Sequence, residues 1–413
     1  MKLEISGVDE KGRGVGGDLF TPFAYPGDTI EAELVNKRKK TGRLISIITP
    51  SKHRQDAPCK HFGECGGCFW QGLKCEAQLK FKEEKIRDLF GIVNPIIASP
   101  NQYFYRNRMD FAFGPDFSIG LKSGKSKVIN VEKCHLMSEK SNLIIDHLRR
   151  FVSYKKLEYH WTGIMRHVVI REGKNIDNTV INVITSDRGK FPLEELWEKL
   201  GTIIDGASWS INTSPADRSV GDLQKTFGND YLLETLNGLK FKIPLQSFFQ
   251  TNTHQAENLL NIIKTLIEDE NEILDLYSGT GSIGLFLADK NRKVIGIEEN
   301  EAAVELSKSN AELNGISNYS AYAGKVEDMI YKNISGSETI ILDPPRPGVN
   351  KKVLKIIGDK KPKKVVYVSC NPYTQKHDVE ILKEFGYEIK YRQPLDMFPH
   401  TPHIENVILL RLP

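Results

Sequence analysis

The chain of 413 residues has no apolar run long enough to cross a bilayer, no internal repeat and no low-complexity tract, so helical membrane proteins and solenoids are excluded. Its start, Met1-Lys2-Leu3-Glu4, lacks the basic-then-apolar pattern of a secretory signal, and a cytoplasmic protein is expected. Net charge is small, +4 from 57 basic and 53 acidic side chains. No global field therefore marks an anionic partner, and local clusters must carry that argument. Cysteine is scarce, six in all, which argues against a disulfide framework in a cytosolic chain of this size. Four of the six crowd between Cys59 and Cys75, whereas Cys134 and Cys370 stand apart. That is the arrangement of a metal or cluster site plus one cysteine with separate work. With 39% hydrophobic and 27% charged residues the composition is globular, and the length calls for two or three domains.

Residues 1–55 read as short strands punctuated by turns at 11–17 and Pro26-Gly27-Asp28. From Lys37 through Arg54 there are basic side chains and no acidic one. Short strands, glycine turns and a basic loop describe a small β-barrel of the oligonucleotide-binding kind, or a solvated hairpin tip. Residues 56–245 mix helix and strand, an α+β pattern, with a helix near 76–89 and strand-like runs at 109–113 and 180–184. Within it, residues 103–108 interleave Tyr103, Phe104 and Tyr105 with Arg106, Asn107 and Arg108. Such a mixture suits stacking on bases and gripping phosphates, or a core strand with a snorkelling arginine. From 246 to 413 strands at 272–277, 293–298, 339–342 and 364–369 alternate with helices at 253–268, 282–290 and 301–314. The overall class is α/β, ending in a doubly wound Rossmann-like sheet with its ligands at the C-terminal strand ends.

The first strand of that sheet runs into Tyr277-Ser278-Gly279-Thr280-Gly281-Ser282-Ile283-Gly284. Its glycines, Gly279 first, let the backbone approach a cofactor without a β-carbon in the way. Asp275 precedes the first glycine, and the next strand ends at Glu298, the right distance for a carboxylate to bind ribose hydroxyls. The loop serves S-adenosylmethionine or a dinucleotide equally well. A later strand ends in Asp343-Pro344-Pro345-Arg346, where two prolines stiffen the turn and hold the carboxylate in place. Hydride transfer has no use for that element.

Val365-Val366-Tyr367-Val368-Ser369-Cys370-Asn371-Pro372 is a buried-type strand that ends in a cysteine at the ligand edge. Carbon 5 of a pyrimidine is a poor nucleophile, and adding a thiolate to carbon 6 makes an enolate that activates it. After methyl transfer a base must take the carbon 5 proton so that the thiolate can leave. Glu405, which opens a final apolar strand at His403-Ile404-Glu405, is placed for that work. Taken singly, Cys370 reads as a core thiol and Glu405 as a strand-end carboxylate.

Together with Phe248-Phe249-Gln250-Thr251-Asn252, these motifs occur in the order found in the RNA 5-methyluridine methyltransferase family, which the chain resembles over nearly its whole length. The resemblance implies a donor, S-adenosylmethionine, lined by Gln250, Tyr277, Glu298 and Asp343. It implies Cys370 as nucleophile, Glu405 as base and Phe248 stacked on the flipped uracil. Residues 1–55 resemble the TRAM domain of ribosomal-type members, and the implied partner is transfer RNA or large-subunit ribosomal RNA. Ser278 stands where many members have cysteine, at a position with no catalytic part.

Cys59, Cys65 and Cys68, followed much later by Cys134, are unlike a zinc ribbon, and four thiolates suit an iron–sulfur cluster. Gly66-Gly67 allows a tight turn between two ligands. Ribosomal-type members carry a [4Fe–4S] cluster on this spacing, and resemblance rather than spacing selects Cys134 over Cys75 as the fourth ligand. Zinc assisted by His61 or His135 is the other reading. A nicotinamide oxidoreductase would leave Asp343 and Cys370 idle. An inactive RNA-binding scaffold would not need Cys370 and Glu405 together. Cytosine methylation usually takes a second cysteine, and residues 246–413 hold only Cys370. A monomer is expected, and the identity of the target uridine is not written in the sequence.

Overall fold

The computed structural model describes residues 1–124, 127–333 and 339–413. Its first unit is a six-stranded sheet in the order Lys2–Glu4, Thr29–Asn36, Thr41–Thr49, Leu19–Thr21, Gly14–Gly16, Gly7–Val8. The glycine-rich stretch 11–17 is not wholly a turn, since Gly14–Gly16 is a strand. A β-carbon at Gly14 would lie 2.5 Å from the Ala24 carbonyl oxygen, so glycine is what lets this strand pass. Ile5, Ala24, Ile30 and Ala32 form its small core. The hairpin Thr29–Asn36/Thr41–Thr49 carries Lys37, Arg38, Lys39 and Lys40 exposed at its turn. The cysteine segment packs Trp70 and Leu73 onto Tyr25 of this unit.

The second sheet has seven strands in the order Asp222–Gly228, Gly206–Ile211, Thr179–Thr185, Met165–Glu172, Arg108–Phe113, Ile119–Lys122, Val128–Asn130. Its strands pair antiparallel except Thr179–Thr185 with Gly206–Ile211, which are parallel and linked through helix Leu193–Leu200. That helix and helix Glu139–Tyr154 bury Leu196, Leu200, Ile144 and Leu148 against Val168, Ile170, Ile181 and Val183.

The third sheet runs Tyr319–Ala323, Lys293–Glu298, Glu272–Leu276, Thr339–Leu342, Lys364–Ser369, Glu405–Arg411, Glu388–Leu395. Its first five strands are parallel and the last two join antiparallel. Strand residues alternate faces, and both faces are covered. Leu274, Leu276, Ile340, Leu342, Val365 and Tyr367 pack with Val353, Ile357 and Val379 on one side. Ile273, Ile341, Val366 and Val368 pack with Ala256, Leu259, Leu260 and Ile263 on the other. Double burial is why these strands read as unbroken apolar runs. Helix Cys75–Phe90, which lies in the central stretch of the sequence, sends Ile86 and Phe90 into this third core.

Candidate active site and the cysteine centre

The chemistry collects where the parallel strands end. Leaving strand Glu272–Leu276, the chain turns through left-handed conformations at Tyr277, Gly279 and Gly281 and enters helix Ser282–Leu287. At Gly281 a β-carbon would meet Ser307 Cβ at 2.8 Å, so a larger residue is refused on space as well as on φ. Glu298, at the end of the neighbouring strand, accepts the Gly279 N–H at 3.0 Å and the Asn300 N–H at 2.9 Å. The glycine turn and the Glu298 carboxylate are thus fixed to one another. Beneath them Asp275 is buried, and burial followed by the proximity of Asp343 pushes its carboxyl up to about 8.

Asp343 follows strand Thr339–Leu342, and Cys370 follows strand Lys364–Ser369, one residue ahead of Asn371, the cap of helix Pro372–Glu384. Glu405 is the first residue of strand Glu405–Arg411 and is buried. Burial raises the Asp343 carboxyl above its ordinary range, and burial together with Asp343 raises that of Glu405. Burial and the facing Glu405 push the Cys370 thiol up to about 11, with the Arg346 guanidinium pulling the other way. Arg346 also donates from Nη2 to Nδ1 of His403 at 2.9 Å, and burial followed by Arg346 holds that imidazole down to about 4. Arg346 accordingly contacts neutral His403 and faces both Cys370 and Glu405. In the free protein Cys370 is expected to show about 100-fold less thiolate at pH 8 than an ordinary cysteine. Iodoacetamide labelling of its peptide, followed by mass spectrometry, should therefore keep rising tenfold per pH unit to about pH 10. A plateau near pH 8 would contradict this environment.

One cavity of about 810 Å3 is lined by Phe248, Gln250, Tyr277, Gly279, Glu298, Asp343, Cys370 and Glu405, all the residues the sequence assigned to nucleophile, base, donor and target base. The volume suits a nucleoside-sized ligand. Phe248 is 69% exposed at this cavity, an aromatic face open to an incoming base. Arg346, Phe398, Asn300 and Glu327, to which sequence reasoning assigned no role, line the same space. For Arg346 a signal existed, its place directly after Pro344-Pro345. For Phe398, in a loop between antiparallel strands, there was none.

The sequence matches the tRNA (Uracil-5-)-methyltransferase family over residues 74–412. The chain belongs to that family. It is a methyltransferase of the uracil-C5 class. Two relatives are a tRNA (uracil(54)-C(5))-methyltransferase of Pyrococcus horikoshii, 36% identical over 99% of this chain and 100% of that one, and a 23S rRNA (uracil(747)-C(5))-methyltransferase of Pyrococcus abyssi, 37% identical over the full length of both. Among solved structures, the Pyrococcus abyssi tRNA (uracil-54, C5)-methyltransferase in complex with S-adenosyl-L-homocysteine superposes with a TM-score of 0.87 at 32% identity, over 99% of this chain and 100% of that one.

This uracil-5-methyltransferase has a second cavity, lined by Cys59, Cys65, Cys68 and Cys134 together with His61, His135 and Gln71. Cys75 is not among its lining residues. Gly67 N–H points at Cys65 Sγ at 3.4 Å, and Gln71 Nε2 at Cys68 Sγ at 3.3 Å. Burial pushes Cys68 up to about 12 and Cys134 up to about 11. Among the described residues no three His, Cys, Asp or Glu side chains converge so as to hold a single metal ion.

Residues 103–108 divide between the two expected readings. Tyr105 and Asn107 are fully buried, and Tyr105 donates its hydroxyl to Pro399 O at 3.2 Å. Asn107 donates to Gln250 O at 2.8 Å, which braces the segment that lines the active cavity. Phe104 alone is well exposed, at a left-handed φ of 56°. Among the described residues no helix is long and apolar enough to cross a membrane.

Proposed function

We propose that this chain transfers a methyl group from S-adenosylmethionine to C5 of a uridine in transfer RNA or 23S-type ribosomal RNA, through a covalent adduct between Cys370 and C6. The observation that carries this reading is that a thiol, the buried Glu405 carboxyl, the half-buried Asp343 carboxyl and the glycine turn share one cavity. Cys370 Sγ adds to C6, and the electron pair moves through the C5–C6 double bond onto O4. The activated C5 then takes the methyl carbon as the sulfonium–carbon bond breaks. Glu405 accepts the C5 proton, and the C6–sulfur bond breaks to return the thiolate. When bound, the methyl donor brings a positive sulfonium into a cavity where the Asp343 and Glu405 carboxyls are raised, which favours their ionised forms. Glu298 and the Gly279 turn hold the donor, Gln250, Tyr277 and Asp343 line it, and Phe248 stacks on the uracil.

In this reading residues 1–55 form a TRAM-like RNA-binding barrel, and residues 56–245 a central domain. That central domain holds a [4Fe–4S] cluster on Cys59, Cys65, Cys68 and Cys134, with a structural part rather than a chemical one. Residues 246–413 form the methyltransferase domain, and the enzyme acts in the cytoplasm as a monomer. The support for the cluster is that Cys59, Cys65, Cys68 and Cys134 line one cavity. RNA carrying 5-fluorouridine tests the mechanism, because fluorine at C5 cannot leave as a proton. With S-adenosylmethionine a denaturation-resistant protein–RNA adduct should form, and Cys370→Ala should abolish it. No adduct with either RNA, despite donor binding, would favour an inactive RNA-binding protein instead.

A further inference from the structure

The loop 396–404 leads directly into Glu405, and its contacts run to the cysteine centre. The backbone N–H groups of Phe69 and Trp70, next in sequence to Cys68, both donate to the His400 carbonyl at 2.9 Å. From the other side, the His135 ring beside Cys134 lies edge-on to Tyr103 at 6.2 Å, and the Tyr103 ring stacks on His400 at 4.4 Å. Gln78 closes the junction. It accepts the His400 N–H at 2.8 Å, meets its Nδ1 at 3.2 Å and donates to Trp70 O at 3.0 Å. His400 itself is fully buried and left-handed, with φ 64°. A bulky residue in that conformation is a strained turn that its surroundings must hold.

We infer that His400 is a positioning residue through which the four-cysteine centre fixes the loop that aims Glu405 at the C5 proton. This rests on the proposed roles of Glu405 and of the cysteines. Two of the four cysteines are next in sequence to residues that reach His400, one through the main chain and one through stacked rings. The same turn then passes to Pro402, held by Lys85 Nζ at 3.0 Å, and to His403, held by Arg346 at 2.9 Å. Cys370 is carried by a different strand, so disturbing His400 should spare adduct formation and impair the release that follows it. A misplacement of the base by about 1 Å is enough to cost on the order of 100-fold in that step.

His400→Asn keeps a residue that tolerates the left-handed turn while removing the stacked ring. With uridine-containing RNA and donor, its adduct should form at the wild-type rate and decay about 10- to 100-fold more slowly, so that methylated adduct accumulates. Cys68→Ser should do the same, and the double variant should be no slower than the slower single. Tyr103→Leu repeats the test without altering His400. Amide hydrogen exchange across 396–405 should quicken in Cys68→Ser and in Cys134→Ser, a readout independent of turnover. Equal slowing of formation and release, effects that multiply in the double variant, or unchanged exchange would each overturn the relay. A wild-type protein that forms no adduct on 5-fluorouridine RNA would instead sink the nucleophile assignment, and the exchange experiment would still judge the relay.

Discussion

Glu405→Gln protein is expected to methylate its RNA once and remain attached to it. The substitution keeps the volume of a side chain that is only 3% exposed, so the cavity should close as before. What it removes is the proposed acceptor of the C5 proton, and a positioned base contributes about 100- to 10,000-fold. Because Cys370 and the donor turn are untouched, the loss should fall on release alone. Labelled methyl should then migrate with the protein on a denaturing gel. Cys370→Ala by contrast should give neither adduct nor product. Asp343 is the other carboxyl in the cavity with a raised pKa, so it is the necessary comparison. Asp343→Asn should not trap methylated adduct, whatever it does to donor binding. The pH dependence follows from the direction of the Glu405 shift, which is upward through burial and then Asp343. A base is active only above its own pKa, so release should weaken as pH falls through that raised value. Removing the neighbouring acid in Asp343→Asn should lower it and move the acid limb to lower pH. Normal turnover by Glu405→Gln would end its assignment as the base.

The active cavity was legible in the sequence because its groups sit at strand ends, each in a short local signature. Asp343 before two prolines, Cys370 after an apolar run, and Glu298 closing the second strand all occupy the positions their neighbours announced. The expected strand at 272–277 ends one residue earlier, since Tyr277 already turns left-handed. Contacts between residues hundreds of positions apart were not legible. Nothing local says that Gln78 meets His400, that Tyr105 braces Pro399, or that helix Cys75–Phe90 lies on the third sheet. Residues 103–108 show why. An alternation of aromatic, cation and amide fits a nucleic-acid surface and a buried strut equally well until the partners of Asn107 are seen. Arg346 could be placed at a strand end from sequence, but its bond to His403 depends on two loops meeting.

The largest stability effect should come from Lys82→Met. Lys82 lies on helix Cys75–Phe90 with its side chain at 0% exposure, and its Nζ donates to Asp396 Oδ1 at 2.5 Å and to Phe398 O at 3.0 Å. Burial depresses the Lys82 pKa, and Asp396 opposes that by attracting the charged form. Asp396 is itself 1% exposed, and its second oxygen, Oδ2, has no partner. Methionine restores most of the volume but leaves that carboxylate alone in an apolar surround. Breaking one side of a buried pair costs about 3–5 kcal/mol, more than the pair contributes over an apolar substitute. The prediction has two parts, read from urea midpoints at constant slope. Lys82→Met alone should lose about 3–5 kcal/mol, and Lys82→Met with Asp396→Leu should regain most of it. A single variant within about 1 kcal/mol of wild type would mean that water reaches the pair in solution. Because Asp396 and Phe398 begin the loop that ends at Glu405, the double variant also separates stability from aim. It should fold nearly as well as wild type and still release product slowly, since the ammonium that tied the loop to the helix is gone.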